Sequence, residues 1–245
     1  MLFRSGDLDH AIADYDQAIA LKPDYAEAYY NRGNAYVDKR DLDHAITDFD
    51  QAIALKPDYA VAYNNRGLAY ADKGDLNRAI ADYDQAIALE PDHGEAYYNR
   101  GVAYADKGDL DHAIADYDQA IALKPDFAEA YYGRGLAYAH KGDLAHAIAD
   151  YDQAIALKRD FAAAYYNRGL AYACKGDFGR AIADYDQAIA FDPRYAEAYI
   201  NRGNAYVQVG EKDKAIADFR KVLDLSSDPD LRRQAEEQLQ ALGVR

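Results

Sequence analysis

Cysteine, long apolar runs and net positive charge are scarce in this sequence. The single cysteine among 245 residues is Cys174, which excludes an internal disulfide framework and a cysteine-based zinc site. No stretch approaches the roughly 18 uncharged apolar residues of a membrane span, so no membrane insertion is expected. Acidic side chains outnumber basic ones by 43 to 28, giving a net charge of −15. This charge disfavours nucleic-acid binding, which depends on Lys and Arg neutralising phosphates, and favours neutral or basic partners.

Motifs of catalysis and cofactor binding are also missing. The sequence has no glycine-rich phosphate loop, no His-Glu-x-x-His and no nucleophile elbow. His44, His112 and His146 recur at one place in a long repeat, so stacked copies would lie ~10 Å apart, too far to share a metal. We therefore predict no enzyme activity, no cofactor and no metal site. The opening residues show no secretory signal pattern, and a cytoplasmic location is expected.

The sequence is rich in one nonapeptide. AYYNRGNAY, at residues 28–36, recurs with small changes five more times, and its glycines are each 34 residues apart. A strict period of this length is typical of a solenoid, in which each unit buries its apolar face only against its neighbours. The glycines are Gly33, Gly67, Gly101, Gly135, Gly169 and Gly203.

Each unit is predicted to form two helices. The spacing of Asp24 and Glu27 predicts a capping box at the start of the first helix of the first full unit. Asp41 is placed to cap the second helix. Pro57 should end that helix, because proline disfavours helical backbone in the residue before it.

The glycine inside each first helix needs an explanation, since it costs about 0.5–1 kcal/mol relative to alanine. We expect the compensation to be a close approach of the two helices, with Ala45 and Ala52 as the small residues on the facing helix.

The period divides the chain into repeats of one continuous solenoid domain. Residues 1–25 form an incomplete repeat, predicted to be a second helix whose apolar face is incompletely covered. Residues 228–245 are predicted to form a C-terminal capping helix, with Pro229 at its first position. The full repeats between them are 26–59, 60–93, 94–127, 128–161, 162–195 and 196–227.

A set of aromatic, small and proline positions recurs through the full units, with Arg159 standing where Pro23, Pro57, Pro91, Pro125 and Pro193 stand elsewhere. In the first full unit these residues are Tyr29, Gly33, Tyr36, Ala45, Phe49, Ala52 and Pro57. Together they closely resemble the tetratricopeptide repeat (TPR) over nearly the whole chain. The resemblance implies an all-α fold, a right-handed α-solenoid superhelix of helix-turn-helix repeats. Arg32 and its equivalents stand where leucine is more usual in that family, and the Asn-Arg-Gly they form matches a bacterial-looking subset.

Aspartate recurs on the second helices as arginine does on the first. We predict partly buried Arg–Asp pairs, such as Arg66 with Asp48 or with Asp82. The alternative is that the arginines lie across tyrosine rings with their charged ends in solvent.

The resemblance also implies where a ligand would bind. In TPR proteins, the side of the first helix opposite its apolar stripe lines a concave groove that binds peptides or partner helices. Asparagines recur there and resemble the ladder of the O-GlcNAc transferase superhelix, in which a carboxamide can pair with a peptide unit. The alternative is that the asparagines only solvate the groove or bond to neighbouring helices. The candidate peptide-binding residues are Asn31, Asn65, Asn99, Asn167, Asn201, Tyr30, Tyr98, Tyr132, Tyr166, Glu95 and Glu129.

These features predict a non-catalytic scaffold that binds extended basic or neutral peptide segments in the groove. The alternative is a self-association module, in which the incomplete first repeat or the groove receives another copy of the chain and forms a homo-oligomer.

Overall fold

The structure, a computed structural model, describes residues 5–244. Within that range all regular secondary structure is α-helical, and no strand is present. The predicted all-α fold of repeated helix pairs is therefore confirmed. The helices form two compact units, which divide between Pro125 and Asp126 and are described separately below. No helix between residues 5 and 244 is both long enough and apolar enough to cross a bilayer.

In the N-terminal unit, helix α1 is followed by three pairs of a first and a second helix. The bounds are α1 Ser5–Leu21, α2 Ala26–Asp38, α3 Leu42–Leu55, α4 Ala60–Asp72, α5 Leu76–Leu89, α6 Gly94–Asp106 and α7 Leu110–Leu123.

In the C-terminal unit, three such pairs are followed by helix α14. The bounds are α8 Ala128–His140, α9 Leu144–Leu157, α10 Ala162–Cys174, α11 Phe178–Phe191, α12 Ala196–Gln208, α13 Lys212–Leu225 and α14 Pro229–Ala241.

The second helices α3, α5, α7, α9 and α11 begin at capping aspartates, whereas α13 begins at Glu211 without a side-chain cap. The Asp41 side chain accepts a hydrogen bond from the His44 backbone N–H at 3.3 Å, and Asp75 accepts from the Arg78 N–H at 3.1 Å. The cap predicted at Asp41 is thus confirmed. A side-chain oxygen in this position satisfies one of the backbone donors that a helix start leaves free.

The first helices begin without such a cap. The N-cap of α2 is Tyr25, which makes no side-chain capping bond, so the capping box predicted from Asp24 and Glu27 is wrong. The backbone closes the first turn instead, because the Ala28 N–H donates to the Tyr25 carbonyl at 3.0 Å. The Glu27 carboxylate lies 4.0 Å from the Lys56 ammonium.

The glycine inside each first helix makes room for an aromatic ring. A Cβ added at Gly33 would lie 2.7 Å from Cε1 of Phe49, well inside van der Waals contact. Ala45, Phe49 and Ala52 are all fully buried. The expected close approach is therefore present, and the group nearest to Gly33 is the Phe49 ring.

Helix α14 packs on the last helix pair of the C-terminal unit. Ala235 and Leu239 are buried in a cluster that contains Phe219 of α13. Asp228 caps the helix by accepting from the Asp230 and Leu231 backbone N–H groups, and Pro229 follows it. The apolar side chains of α12 and α13 are thereby covered at this end of the described chain.

Candidate functional site

An arginine on each first helix binds an aspartate on the second helix of the same repeat. In one such pair Nε of Arg66 donates to Oδ2 of Asp82 at 2.8 Å, and Nη2 donates to Oδ1 at 2.6 Å. The predicted pairing is thus confirmed, with Asp82 and not Asp48 as the partner of Arg66. The same bidentate geometry joins Arg32 to Asp48, Arg100 to Asp116, Arg134 to Asp150, Arg168 to Asp184 and Arg202 to Asp218.

The same guanidinium also reaches the preceding repeat. Nη1 of Arg66 donates to Asp50 of α3 at 2.5 Å, so one side chain connects α3, α4 and α5. Arg66 also lies 5.4 Å from the centre of the Tyr63 ring, so the ring contact posed as the alternative accompanies the ion pair. In the next repeat, the hydrogen bond to Asp116 raises the pKa of Arg100 above its usual value. The charge is therefore permanent and the first helices are fixed in position.

We call the surface that carries the fifth and sixth residues of the first helices the first-helix face of each unit. In the N-terminal unit, Nδ2 of Asn65 donates to the Tyr30 hydroxyl at 3.0 Å and to Oδ1 of Asn34 at 2.9 Å. Nδ2 of Asn99 donates to Oδ1 of Asn64 at 3.0 Å. The structure therefore connects each of these asparagines to the first helix of the preceding repeat.

The C-terminal unit repeats this arrangement. Nδ2 of Asn167 donates to the Tyr132 hydroxyl at 3.0 Å, and Nδ2 of Asn201 donates to the Tyr166 hydroxyl at 2.9 Å. Both amide groups also donate to a backbone carbonyl one turn earlier in their own helices. The Oδ1 atoms of Asn167 and Asn201 accept no hydrogen bond from residues 5–244. The bonding to neighbouring helices that was posed as the alternative thus uses the donor side of these two carboxamides and leaves their acceptor side open. In the N-terminal unit, Oδ1 of Asn65 accepts from Nδ2 of Asn64 at 3.1 Å.

The tyrosines of the first-helix face are held by other aromatic rings. The Tyr30 ring lies 5.1 Å from that of Tyr59, and the Tyr166 ring lies 4.7 Å from that of Tyr195. Burial raises the pKa of the Tyr166 phenol, so it stays protonated at neutral pH. Tyr98 and Tyr132 lie beside the tyrosines of their paired second helices, with ring centres 5.9 and 6.0 Å apart.

The two glutamates predicted for the site contact lysines that were not among the predicted site residues. Lys124 lies 3.4 Å from Glu95 in the N-terminal unit, and Lys158 lies 3.1 Å from Glu129 in the C-terminal unit. The pKa of Glu95 is lowered, first by its own backbone N–H at the helix start and then by Lys124. The 34-residue recurrence of these lysines was the signal that could have identified them.

Asn31 and the histidines lie apart from these contacts. Asn31 is exposed and lines a cavity of about 190 Å³ together with Tyr15 of α1. His44, His112 and His146 are exposed, and Nδ1 of each lies 2.6 to 2.8 Å from the capping aspartate of its helix. Among the described residues, no group of His, Cys, Asp or Glu side chains could hold a metal ion.

Paired helices that stack through recurring buried contacts define a helical-repeat scaffold. Comparison with family models then identifies the type of repeat. Models of the TPR repeat match residues 1–40, 33–74, 67–108, 103–142, 135–176 and 174–210, and a tetratricopeptide repeat model matches residues 196–229. The chain belongs to the TPR family, whose members are typically non-catalytic scaffolds.

Solved structures show the same fold. The chain is 31% identical to MamA, with a TM-score of 0.61 over 71% of this chain and 96% of MamA. It is 24% identical to YrrB, described as a TPR protein with an unusual peptide-binding site, with a TM-score of 0.64 over 77% of this chain and 97% of YrrB. A TPR protein from Parabacteroides merdae is 21% identical, with a TM-score of 0.70 over 96% and 93% of the two chains. No curated protein sequence matches the chain.

Proposed function

We propose that this protein is a non-catalytic scaffold that binds an extended protein segment on its first-helix face. The observation that carries the proposal is the set of open asparagine acceptors beside fixed tyrosines. The Oδ1 atoms of Asn167 and Asn201 are uncommitted, and they lie one repeat apart. An extended peptide offers backbone N–H donors at regular intervals whatever its side chains are. The asparagines would therefore recognise a backbone and not a particular sequence.

The tyrosines of the face supply contact area. Tyrosine offers a large apolar surface and loses little conformational entropy on binding, and here the rings are already held by neighbouring rings. The face thus combines preorganised aromatic surface with hydrogen-bond acceptors. The fold resembles that of YrrB, which is described as having a peptide-binding site, and this supports the same class of ligand here.

Charge restricts the ligand further. Glu95 and Glu129 lie in the first turns of their first helices, each beside a lysine, and the whole chain carries a charge of −15. Acceptor atoms and carboxylates together favour a ligand that donates hydrogen bonds. Basic or neutral segments are therefore expected, and nucleic acid is not.

The affinity should be modest. Each asparagine contact should contribute about 0.5–1.5 kcal/mol net. The sum of such contacts, less the cost of ordering the peptide, should be weaker than about −8 kcal/mol, so a dissociation constant above about 1 µM is expected.

The test is the affinity of a partner isolated from the native cell for two variants. Replacing Asn65 and Asn99 together by alanine should weaken binding about tenfold, because two contacts of about 0.7 kcal/mol each are lost. Asn77→Ala is the matched control, since Asn77 lies on the second helix α5 and accepts a hydrogen bond from Lys107. Equal affinities of the double variant and the wild type would exclude the asparagines from the binding site.

Self-association is the second candidate, and the described part of α1 favours it. Leu21 is 88% exposed, and Ala11 and Tyr15 line the cavity that includes Asn31. Apolar surface of this kind is often covered by another chain. Light scattering separates the two candidates, because a monomeric mass at high protein concentration would contradict self-association and leave the scaffold proposal unchanged.

A further inference from the structure

In the C-terminal unit, the first-helix face opens into two cavities that are one repeat apart. The Tyr151 cavity has a volume of about 220 Å³, and the Tyr185 cavity has a volume of about 350 Å³. Leu170 and Cys174 of α10 line both, so the cavities share a wall. Even the smaller one has the volume of about seven molecules of liquid water, which is ample for a large side chain.

The lining of both cavities is mostly apolar. Leu136 and Leu144 line the Tyr151 cavity, and Phe178 lines the Tyr185 cavity. No Asp, Glu, Lys or Arg side chain lines either one, whereas Asp7 and Asp38 line the cavity around Asn31 in the N-terminal unit. An apolar side chain can enter the two cavities without burying a charge, which would be costly.

Tyr151 provides a second and independent sign of a ligand. The residue is 0% exposed, and its hydroxyl is buried without a hydrogen-bond partner among the described residues. Phe49 and Phe219 fill the equivalent places in other repeats and have no hydroxyl. The Tyr151 hydroxyl is therefore not needed to pack the ring against Gly135. Because buried polar groups are nearly always paired, this hydroxyl indicates that a partner group is supplied from outside.

We propose that the two cavities receive two apolar side chains of one partner segment in the polyproline II conformation, with a polar group of that segment at the Tyr151 hydroxyl. The proposal rests on the proposed function and specifies the ligand of the same face. Adjacent packed helices lie about 8–10 Å apart. In polyproline II, residues three apart lie on the same side and are separated by about 9 Å.

The conformation also fits the asparagines. A polyproline II backbone makes no internal hydrogen bonds, so the N–H groups of its non-proline residues remain free to reach Asn167 and Asn201. In a helical segment most backbone N–H groups already donate to carbonyls of the same helix. The open acceptors of Asn167 and Asn201 would then receive no hydrogen bond from the segment's backbone. Aromatic-lined grooves are a recurrent way to bind such extended segments.

Cys174 makes the test direct, because it is the only cysteine, is exposed and lies in the wall shared by the two cavities. The probe is a short glycine–serine peptide, blocked at both ends, that carries two leucines three residues apart. The measurement is the rate at which iodoacetamide alkylates Cys174 in the whole protein. At a peptide concentration about four times its dissociation constant, alkylation should slow about fivefold.

Matched peptides test the chemistry and the spacing. A peptide with glutamates in place of the leucines, and one with the leucines two residues apart, should leave the alkylation rate unchanged. Protection by the glutamate peptide, or no protection by the leucine peptide, would overturn the proposal. Stronger protection by a helix-forming peptide with leucines seven apart would also overturn it, in favour of a helical partner.

Matched variants locate the effect. Leu170→Glu places a carboxylate in the shared wall and should abolish protection, whereas Leu68→Glu, at the equivalent position of the N-terminal unit, should not change it. Tyr151→Phe keeps the ring found in other repeats and should weaken peptide binding about three- to tenfold. The leucine peptide could protect Cys174 while the Asn65 and Asn99 double variant binds its partner normally. That result would support ligand binding in the two cavities and contradict the role proposed for the asparagines of the N-terminal unit. The reverse pattern would leave the proposed function standing without the cavities.

Discussion

Two parallel hydrogen bonds, of 2.8 and 2.6 Å, join the Arg66 guanidinium to the Asp82 carboxylate, which is buried between the helices of one repeat. A third bond, to Asp50, extends the contact to the preceding repeat. One interior contact of the helix pair is therefore an ion pair, at a position where the TPR family more often has leucine. We expect this contact to help hold the first helices, and so the face they form, in position.

Removing one member of this pair should destabilise the protein strongly. Arg66→Ala leaves the Asp82 carboxylate buried without its cation and should lower the free energy of unfolding by about 3 kcal/mol. Lys73→Ala, which breaks the exposed contact of Lys73 with Asp43, should cost less than about 1 kcal/mol. Urea unfolding of both variants gives the comparison. Equal losses would show that the buried pair has no special role.

The glycine that faces the ring is replaceable only at a cost. In α6, a Cβ at Gly101 would lie 2.9 Å from Cε1 of Tyr117, whereas a Cβ at Gly94 would have its nearest contact at 3.6 Å. Gly101→Ala should therefore destabilise the protein by about 1–3 kcal/mol through overpacking. Gly94→Ala should be neutral or stabilising by up to about 1 kcal/mol. Thermal unfolding of the two variants distinguishes them, and a stabilising Gly101→Ala would contradict the ring contact.

One turn residue has a strained backbone conformation, and replacing it by glycine should stabilise the protein. Arg40 has φ 64°, in the left-handed region, where the equivalent Gly74 has φ 79°. For a non-glycine residue, the left-handed conformation costs roughly 1–2 kcal/mol of conformational free energy. Arg40→Gly should raise the free energy of unfolding by about 1 kcal/mol, and Gly74→Ala should lower it by a similar amount. Urea titration measures both, and a destabilising Arg40→Gly would contradict the strain.

The capping aspartates should make stability depend on pH in the acid range. The Arg78 backbone N–H lowers the pKa of the Asp75 carboxyl. A lowered folded-state pKa stabilises fully above the unfolded value, about 3.9, and this stabilisation is lost as pH falls through the folded value. Asp75→Ala should therefore lower the thermal midpoint at neutral pH, and its difference from wild type should shrink below about pH 4. A difference that stays constant down to about pH 3 would contradict an ionised cap.

The repeat fold and the Arg–Asp pairing were predictable because both are periodic. A 34-residue recurrence of Gly33 and Pro57 determines where helix pairs begin and end, and Arg66 and Asp82 carry opposite charges at fixed places in that period. The start of α2 was not predictable in the same way. Asp24 and Glu27 have capping-box spacing, but the backbone of Tyr25 closes the turn before either side chain is needed.

The chemistry of the candidate site was only partly predictable. Asn65 and Asn167 could be placed on one face of the helices, but which half of each carboxamide is used depends on distances between repeats. The structure shows that the Nδ2 groups are bound by neighbouring side chains, which leaves Oδ1 of Asn167 as an acceptor. The unpaired Tyr151 hydroxyl could not be predicted either. Its equivalents in the other five full repeats are a mixture of tyrosine and phenylalanine, so the repeat pattern does not show whether the hydroxyl has a partner.

The location of a bound partner on the helices tests binding at the first-helix face most directly. A photoreactive amino acid at Glu197, an exposed residue of the first helix α12, should cross-link the partner. The same amino acid at Ala217, an exposed residue of the second helix α13, should give no cross-link. Cross-links from position 217 as strong as those from position 197 would contradict binding on the first-helix face.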